Sequence, residues 1–491
     1  MIRTRFAPSP TGFLHVGGLR TALYSYLLAK QAGGKFLLRI EDTDRERFVE
    51  GAILSLVHAL TWTGIMPDEG VRHVIDGEPV QEGDKGPYIQ SERLEIYRKY
   101  AQELLEKGHA YYCFCTPERL EELRARQQVY KQPTIYDRHC LAIDLVEAKE
   151  RIKKGEAHVI RLKMPQEGET VFTDLIRGEV RFDNKLIDDQ VLVKSDGYPT
   201  YHLAVVVDDH LMEISHVVRG EEWISSTPKH IQLYKYFGWE MPQFAHLSLI
   251  LNPDKSKLSK RQGDVAVEDY QAKGYLPEAL VNFLAFLGWN PGTEKEMYTM
   301  DELIKDFSLE KVSKAGAVFN VEKLNWFNKE YIKRLPLSEV VERAMPWLKE
   351  RFKIERLKDY PLEKVIELER ERVTTLAELP EAVKFVFELS NYPKELLVWR
   401  KGTLQEVQKI LPELKEFLDS LQEKEWNKTG LESRVGEWIK EKGYSTGSVL
   451  WPLRVALSGQ QNSPGPYEIA EVLGREESLR RLGLALSKVG G

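Results

Sequence analysis

The first forty residues constrain the fold of this chain more than any other stretch. Residues 2–6 predict a short buried strand, which Pro8 and Pro10 end because proline supplies no ladder donor. An apolar-periodic run over residues 16–34 predicts a helix, and residues 35–41 predict a second strand. One helix between two strands is a βαβ unit with a right-handed crossover. We therefore predict an α/β fold built on a Rossmann-like, doubly wound parallel sheet.

The turn between the first strand and the helix is typical of an anion-binding site. Backbone N–H groups at a helix start, together with the helix dipole, attract negative charge. In parallel sheets ligands bind beyond the carboxyl ends of the strands, where Ser9, His15 and Glu41 would lie. The alternative is an ordinary turn between a strand and a helix. The whole string PSPTGxxHxGG argues for the anion site, which glycines alone would not.

Two strings at the start of the chain carry a resemblance to a known family. They are APSPTG followed by HVGG, and RIEDTDRER at residues 39–47. With them the chain resembles the class I aminoacyl-tRNA synthetases of the glutamate/glutamine subgroup, specifically the bacterial glutamyl-tRNA synthetases. The resemblance covers essentially the whole chain. It implies ATP-dependent activation of L-glutamate to glutamyl-adenylate, followed by transfer to the 3′ end of tRNA-Glu, with tRNA bound before activation.

The resemblance also assigns the residues around ATP. A bare charge run such as residues 252–261 is most often a solvated loop, but KLSKR within it matches the second signature of this class. His15, Lys257 and Lys260 become the catalytic candidates, because cations stabilise the charge that grows on leaving pyrophosphate. Mg²⁺ is expected to bridge ATP oxygens, and no general base is assigned. The expected ATP-binding residues are Pro8, His15, Gly17, Gly18, Lys257, Leu258, Ser259 and Lys260.

The charges of glutamate predict the composition of its pocket. Two carboxylates and one ammonium need two clusters of cations or donors and one acidic group. Arg5 and Arg219 suit the carboxylates, with Tyr201 as a hydroxyl donor, and Glu41 with Ser9 suits the ammonium. Arg219 bears on specificity, since the glutamine enzymes of the subgroup place no cation there. A buried arginine beside a neutral amide would be left unpaired, which penalises glutamine. For any single arginine, the alternative is a surface ion pair.

All three cysteines of the chain fall between residues 113 and 140, in the strings CFC and YDRHC. Thiolates favour zinc in closed four-ligand sites, and some members of the family carry zinc here, bound by Cys-x-Cys and a later Cys-x-His. Cys113, Cys115 and Cys140 match, but Ala142 stands at the histidine position, so Tyr136 or the adjacent His139 would be the fourth ligand. The alternative is three reduced thiols in a degenerate site. Both interpretations stay open at this point.

The C-terminal third predicts helices only. Its apolar residues recur with a period of 3.6, and prolines punctuate the pattern. The resemblance places Arg372 on an anticodon-contacting position and makes Arg454 an RNA contact. Discriminating enzymes keep an arginine at the first of these positions against the third anticodon base, so we predict discrimination against tRNA-Gln. The alternatives are a non-discriminating enzyme that also charges tRNA-Gln, and an Arg372 that only holds phosphate.

The resemblance divides the chain into five segments. They are a Rossmann-like catalytic domain, first half, at 1–109; an inserted acceptor-end-binding domain at 110–186; the second catalytic half at 187–250; a signature-loop and stem-contact domain at 251–330; and a helical anticodon-binding region at 331–491.

Composition limits the partners and the compartment. The net charge of −6 (70 Lys and Arg against 76 Asp and Glu) indicates no polyanion partner by itself, so an RNA binder must concentrate its positive charge locally. Without a signal peptide or a run of about 18 apolar residues, we expect a cytoplasmic protein with no membrane partner. Three cysteines in 491 residues argue against a disulfide framework, and we expect a monomer. Two rival functions are a glutamine-specific relative and an inactive RNA-binding module.

Overall fold

The computed structural model describes residues 1–258 and 266–490. These residues form two compact units, one of Met1–Tyr270 and Pro277–Lys323, the other of Gln271–Leu276 and Leu324–Gly491.

The strands and helices are numbered in chain order. The strands are β1 (Arg3–Phe6), β2 (Lys35–Leu38), β3 (Glu69–Ile75), β4 (Glu78–Glu82), β5 (Ala110–Cys113), β6 (Val159–Leu162), β7 (Glu169–Asp174), β8 (Gly178–Asp183), β9 (Val191–Val193), β10 (His216–Gly220), β11 (Gln243–Leu247), β12 (Ile250–Leu251) and β13 (Ala317–Val318). The helices up to residue 334 are α1 (Val16–Gln31), α2 (Ala52–Trp62), α3 (Leu94–Glu106), α4 (Pro117–Val129), α5 (Leu145–Lys153), α6 (Tyr201–Leu211), α7 (Thr227–Phe237), α8 (Val267–Ala272), α9 (Pro277–Phe286), α10 (Met300–Asp306) and α11 (Val321–Arg334). Those beyond it are α12 (Leu337–Arg351), α13 (Ile354–Lys358), α14 (Leu362–Glu367), α15 (Leu379–Ala382), α16 (Lys384–Phe387), α17 (Leu404–Asp419), α18 (Lys428–Lys442), α19 (Thr446–Ser458) and α20 (Pro466–Val489).

The predicted βαβ unit is present at the start of the first unit. Strands β1, β2 and β3 are parallel, and β4 closes their sheet in the antiparallel direction. Helix α1 connects β1 to β2 and packs its buried side chains on the sheet. Packing at the helix start is close at Gly18, where a Cβ atom would lie 3.0 Å from Cδ1 of Leu14, so a larger residue would need the leucine side chain to shift.

A second sheet continues the first one at β1. Its order is β10-β11-β7-β8, with β10, β11 and β7 parallel and β8 antiparallel. The two sheets meet where the backbone N–H of Ser215 donates to the carbonyl oxygen of Arg3 at 3.0 Å. Helices α6 and α7 pack together beside this junction. The predicted fold class, a doubly wound α/β domain, is confirmed.

Strand pairing crosses the predicted segment division at residue 186. Strands β5, β6 and β9 form a separate antiparallel sheet, so β9 pairs with strands that precede the division. Strands β7 and β8, which also precede it, pair instead with β11 of the second catalytic sheet. The chain therefore passes more than once between the β5-β6-β9 sheet and the second catalytic sheet.

The second unit is helical, as its apolar period predicts, but one helix is shorter than the pattern indicates. The pattern continues from residue 362 to 379, whereas α14 ends at Glu367. Separate turns continue as far as Val373, whose N–H donates to the carbonyl of Glu369, and tertiary hydrogen bonds follow them. The side-chain amide of Asn328 donates to the carbonyl of Thr374, and Leu376 N donates to the carbonyl of Gly274. None of the helices in residues 1–258 and 266–490 has both the length and the apolar character needed to cross a bilayer.

Candidate active site

A cleft of about 1140 Å³ opens beyond the ends of β1 and β10. Most of the residues predicted to bind glutamate or ATP line it, although they come from distant parts of the chain. These residues are Arg5, Pro8, Ser9, His15, Gly18, Glu41, Tyr201 and Arg219. Gly17 is not among the lining residues and lies one position inside the helix start.

His15 is the N-cap of α1, because its Nδ1 atom accepts a hydrogen bond from Gly17 N at 2.9 Å. In a neutral ring, an accepting Nδ1 leaves the proton on Nε2. His15 therefore presents a donor of the kind that phosphate oxygens accept. The backbone N–H of Gly17, an expected ATP contact, donates to this cap in the structure.

The second signature is only partly described. Lys257 pairs with Leu251 in an isolated bridge, and Leu258 N donates to the carbonyl of Ile250 at 3.0 Å. Ile250 lies beside the helix start of the first signature, since a Cβ atom on Gly17 would lie 3.9 Å from its Cδ1. Ser259 and Lys260 lie outside the described residues.

Four buried side chains of alternating charge form a row, and the two at its ends, Arg5 and Glu41, line the cleft. Arg5 Nε donates to Asp209 Oδ1 at 3.1 Å, Arg39 Nη1 donates to the same oxygen at 2.8 Å, and Arg39 Nη2 donates to Glu41 Oε1 at 3.0 Å. Burial would raise the pKa of Asp209, but the charges of Arg5 and Arg39 outweigh it and lower that pKa. Burial raises the pKa of Glu41, and the two arginines offset this only in part. The four charges balance, so this row adds no net charge to the cleft.

Arg219 is held by neutral groups on the other side. Its Nη1 atom donates to the Tyr201 hydroxyl at 3.0 Å and lies 3.2 Å from His230 Nδ1, while Nη2 donates to Thr227 Oγ1 at 2.9 Å. Nε donates to His246 Nε2 at 3.1 Å. Among the residues that the structure describes, no Asp or Glu forms an ion pair with Arg219. Its positive charge is therefore left for a ligand.

Sequence reasoning missed the residues behind this pocket. Asp174, His230 and His246 lie on β7, α7 and β11, in no signature string, and their roles depend on strand pairing. Asp209 left a signal that we did not use. Two carboxylates end the apolar run LAVVVDD of α6, and an acidic residue in such a run must find a buried partner.

The three cysteines meet in one cluster, with their Sγ atoms within 4.8 Å of one another. The Tyr136 hydroxyl lies 3.3 Å from Cys113 Sγ and 3.2 Å from Cys115 Sγ. His139 is exposed, and its backbone N–H turns to Asp137. Of the two candidate fourth ligands, the structure thus brings Tyr136 and not His139 to the sulfur atoms. Three sulfur donors beside a phenol oxygen are compatible with zinc, and burial raises the pKa of the Cys115 thiol to about 12.

The two predicted RNA contacts of the second unit meet at one loop. Arg372 Nη2 donates to the carbonyl of Ser463 at 3.3 Å, and Arg454 Nη2 donates to that of Gln461 at 2.8 Å. Burial, and then the charge of Arg372, lowers the pKa of Arg454. The Arg454 guanidinium also lies 4.5 Å from the ring centroid of Trp451. Arg372 also forms an ion pair with Glu369 at 3.4 Å, so this loop brings together two arginines, one of them paired with a carboxylate, and an aromatic ring.

Comparison with protein families gives the class of protein. Residues 1–326 match the family model of the catalytic domain of class I tRNA synthetases (E and Q), and residues 339–486 match the model of an anticodon-binding domain. The fold and the cleft are thus those of a class I tRNA synthetase.

The chain is similar over its full length to glutamate–tRNA ligases. It is 50% identical to that of Chloroherpeton thalassium, covering 99% of this chain and 98% of the relative, and 48% identical to that of Finegoldia magna, covering 99% of each. A crystal structure of a glutamate tRNA ligase from Elizabethkingia meningosepticum in complex with its amino acid superposes with a TM-score of 0.89 at 37% identity, covering 99% of both chains. The chain belongs to the glutamate–tRNA ligase family.

Proposed function

We propose that this chain activates L-glutamate with ATP to glutamyl-adenylate and transfers the glutamyl group to the 3′ end of tRNA-Glu. Membership of the family supports the reaction. The observation that carries the choice of amino acid is the environment of Arg219, whose charge no buried carboxylate of the described chain balances. A side-chain carboxylate balances it, and the neutral amide of glutamine does not.

The geometry of the cleft supports the following roles. Arg219 and Tyr201 receive the side-chain carboxylate of glutamate. Arg5 receives the α-carboxylate through its Nη groups, because its Nε is engaged by Asp209. Glu41, helped by Ser9, receives the ammonium.

Activation requires the α-carboxylate to attack the α-phosphate of ATP, and we propose that this chain contributes mainly position and charge. The His15 Nε2–H donates to a phosphate oxygen near Pro8 and Gly18, while Lys257 and Lys260 meet the leaving pyrophosphate. Class I synthetases use ATP with Mg²⁺ generally, and the ion neutralises phosphate oxygens when bound. Tyr136 and the three cysteines would hold a structural Zn²⁺. We further propose that the protein acts as a cytoplasmic monomer, divided into the five segments expected from the sequence.

Replacing Arg219 with Ala tests the amino-acid site. We expect a loss of about 2–5 kcal/mol in glutamate binding, the range for truncating one partner of a desolvated charge pair. The ratio of glutamate charging to glutamine charging should fall, and the KM for ATP should stay unchanged. Arg181→Ala, which removes an exposed arginine from β8, is the control. An unchanged glutamate KM in Arg219→Ala would place Arg219 outside the pocket.

We also propose that the enzyme discriminates against tRNA-Gln. The anticodons for the two amino acids differ at the third base, C against G, and Arg372 can donate to the O2 and N3 acceptors of cytosine. Such a contact is worth about 1–3 kcal/mol of discrimination. The neighbouring Arg454 supports an RNA-binding surface at this loop.

The comparison is charging of tRNA-Glu and tRNA-Gln by the wild type, by Arg372→Gln and by the control Arg370→Gln. We expect the wild type to favour tRNA-Glu, and Arg372→Gln to reduce that preference. If Arg372 contacted only phosphate, replacing it would weaken the binding of both tRNAs equally and would reduce the salt dependence of that binding. Equal charging of both tRNAs by the wild type would contradict discrimination outright.

A further inference from the structure

Two buried hydrogen-bond chains end on Arg219, and each fixes which nitrogen of a histidine carries the proton. In the first chain, Asp174 Oδ2 lies 2.6 Å from His246 Nδ1, and His246 Nε2 lies 3.1 Å from Arg219 Nε. A carboxylate only accepts and a guanidinium only donates. His246 therefore carries its proton on Nδ1, and the bare Nε2 accepts from Arg219.

Asp174 is itself held in place. Its Oδ1 atom accepts from the backbone N–H groups of Ile176 and Arg177 at 3.0 and 2.9 Å, and its Oδ2 also accepts from His246 N at 3.1 Å. Asp174 is 1% exposed and His246 is fully buried. This carboxylate has no rotamer freedom that would let it release the imidazole, so the orientation of His246 is fixed from behind.

The second chain reaches the other side of the same guanidinium. His230 Nδ1 lies 3.2 Å from Arg219 Nη1, and His230 Nε2 lies 3.1 Å from His202 Nδ1. Because the arginine can only donate, His230 accepts on Nδ1 and carries its proton on Nε2, which donates to His202. Both histidines thus contact Arg219 through a bare nitrogen, and both must be neutral to do so.

We propose that Asp174, His246 and His230 are positioning residues for glutamate selection, which hold the Arg219 guanidinium in one orientation while leaving its charge uncompensated for the substrate carboxylate. This inference rests on the proposed role of Arg219. Carboxylates in the same positions would hold the arginine as firmly but would cancel its charge. A neutral imidazole supplies the acceptor without the charge, and Asp174 engages the far side of the ring, away from Arg219.

The test is a double-mutant cycle between His246 and Arg219, measured by aminoacylation at saturating tRNA and ATP. We expect His246→Phe to raise the KM for glutamate about tenfold to a hundredfold, because displacing a binding group by about 1 Å costs on that order. The KM for ATP should stay unchanged in this variant, and the ratio of glutamate to glutamine charging should fall. In the Arg219→Ala background, the same substitution should add no further change to either quantity.

Two variants separate positioning from a general structural role. His246→Gln places an amide oxygen near the position of Nε2 and should restore most of the glutamate KM, whereas a merely structural effect would not distinguish Gln from Phe. His216→Phe makes the control substitution on β10, the strand of Arg219, at a histidine that contacts Ser215 Oγ instead. It should leave the glutamate KM and the selectivity unchanged.

Each outcome decides a different point. Additive effects of His246→Phe and Arg219→Ala, or a normal glutamate KM in His246→Phe, would overturn the positioning role while leaving the Arg219 site intact. A normal glutamate KM in Arg219→Ala would instead overturn the site, and the positioning role with it. If His246→Phe does not fold, the pair His230→Phe and His230→Asn is judged by the same criteria, since Asn keeps an acceptor near the position of Nδ1.

Discussion

The hydroxyl oxygen of Tyr136 lies 3.2 Å from the Sγ atom of Cys115. Cys113 and Cys140 complete the group, and Tyr136 also receives a hydrogen bond from the backbone N–H of Cys140 at 3.1 Å. The tyrosine therefore places its oxygen beside the sulfur atoms, four residues before the last cysteine.

Purified protein should contain up to one zinc ion per chain. Four donors at one point form the closed set that a structural site uses, so the double variant Cys113→Ser and Cys115→Ser should lose the metal. His139→Gln is the matched control and should retain it. Metal analysis of zinc-supplemented preparations well below about 0.2 equivalents, far under the single ion of a closed site, would favour three reduced thiols.

Replacing Lys260 with Ala should cut ATP–pyrophosphate exchange strongly and leave glutamate binding nearly unchanged. Removing one preorganised cation from developing charge typically costs about 10²–10³ in rate. Lys235→Ala, at an exposed position of α7, should exchange normally. A fall of less than about tenfold in the Lys260 variant would show that this lysine does not stabilise the leaving pyrophosphate.

Asp209→Asn should lower both stability and glutamate affinity. Its carboxylate binds Arg5 and Arg39 at once, and removing one partner of a buried ion pair costs about 3–5 kcal/mol. Urea unfolding of the first unit measures the stability, and the KM for glutamate reports the displaced Arg5. Asp183→Asn, which breaks an exposed pair with Lys185, should change neither quantity. Wild-type stability in Asp209→Asn would mean that the row of charges does not stabilise the fold.

Stability should fall as the pH drops below about 6.5, the ordinary pKa of histidine. Burial lowers the pKa of His202 to about 3, and burial together with the charge of Arg219 holds the pKa of His230 well below its ordinary value. Below pH 6.5 these histidines bind protons in the unfolded chain but stay neutral in the folded chain. The free energy of unfolding therefore rises with pH in this window, and the contribution of these histidines is fully present above it.

Urea unfolding of the first unit at pH 7.0 and at pH 5.5 measures this effect. Both pH values lie above the range in which ordinary carboxylates titrate. Each buried neutral histidine should contribute a loss of about 1 kcal/mol, since one pH unit below the unfolded pKa corresponds to 1.36 kcal/mol. His202→Phe should flatten the dependence, and His58→Gln, at an exposed position of α2, should not. Equal pH dependence in wild type and His202→Phe would rule out this source.

The sequence predicts the parts of this molecule that are encoded locally. The βαβ unit, the helix start after His15 and the clustering of three cysteines all follow from residues that are close in sequence. The hydrogen-bonded chain from Asp174 through His246 to Arg219 cannot be predicted in this way. It depends on the pairing of β7 with β11, which lies more than sixty residues later in the sequence. No local pattern at His246 indicates that strand pairing places a carboxylate behind its ring.

The early end of α14 has the same kind of cause. The apolar period continues through residue 379, whereas α14 ends at Glu367 and the backbone at Thr374 binds a tertiary partner, Asn328. Periodicity records which side chains are buried but does not record which backbone groups find partners outside the helix. For this reason the position of Arg372, beyond the helix end, could be assigned by resemblance but not by pattern.

The junction of β1 with β10 has a consequence for how the chain folds as it is synthesised. Arg3 and Ser215 are 212 positions apart, and their hydrogen bonds join the second sheet to the first. At about 5–20 residues per second, translation takes roughly 10–40 s to supply Ser215 after Arg3 has emerged. During that interval β1 has an open edge, and the arginines that Asp209 and Met212 later bind are still without those partners. A nascent chain of this family therefore depends on the N-terminal strand staying unaggregated until the far half of its sheet arrives.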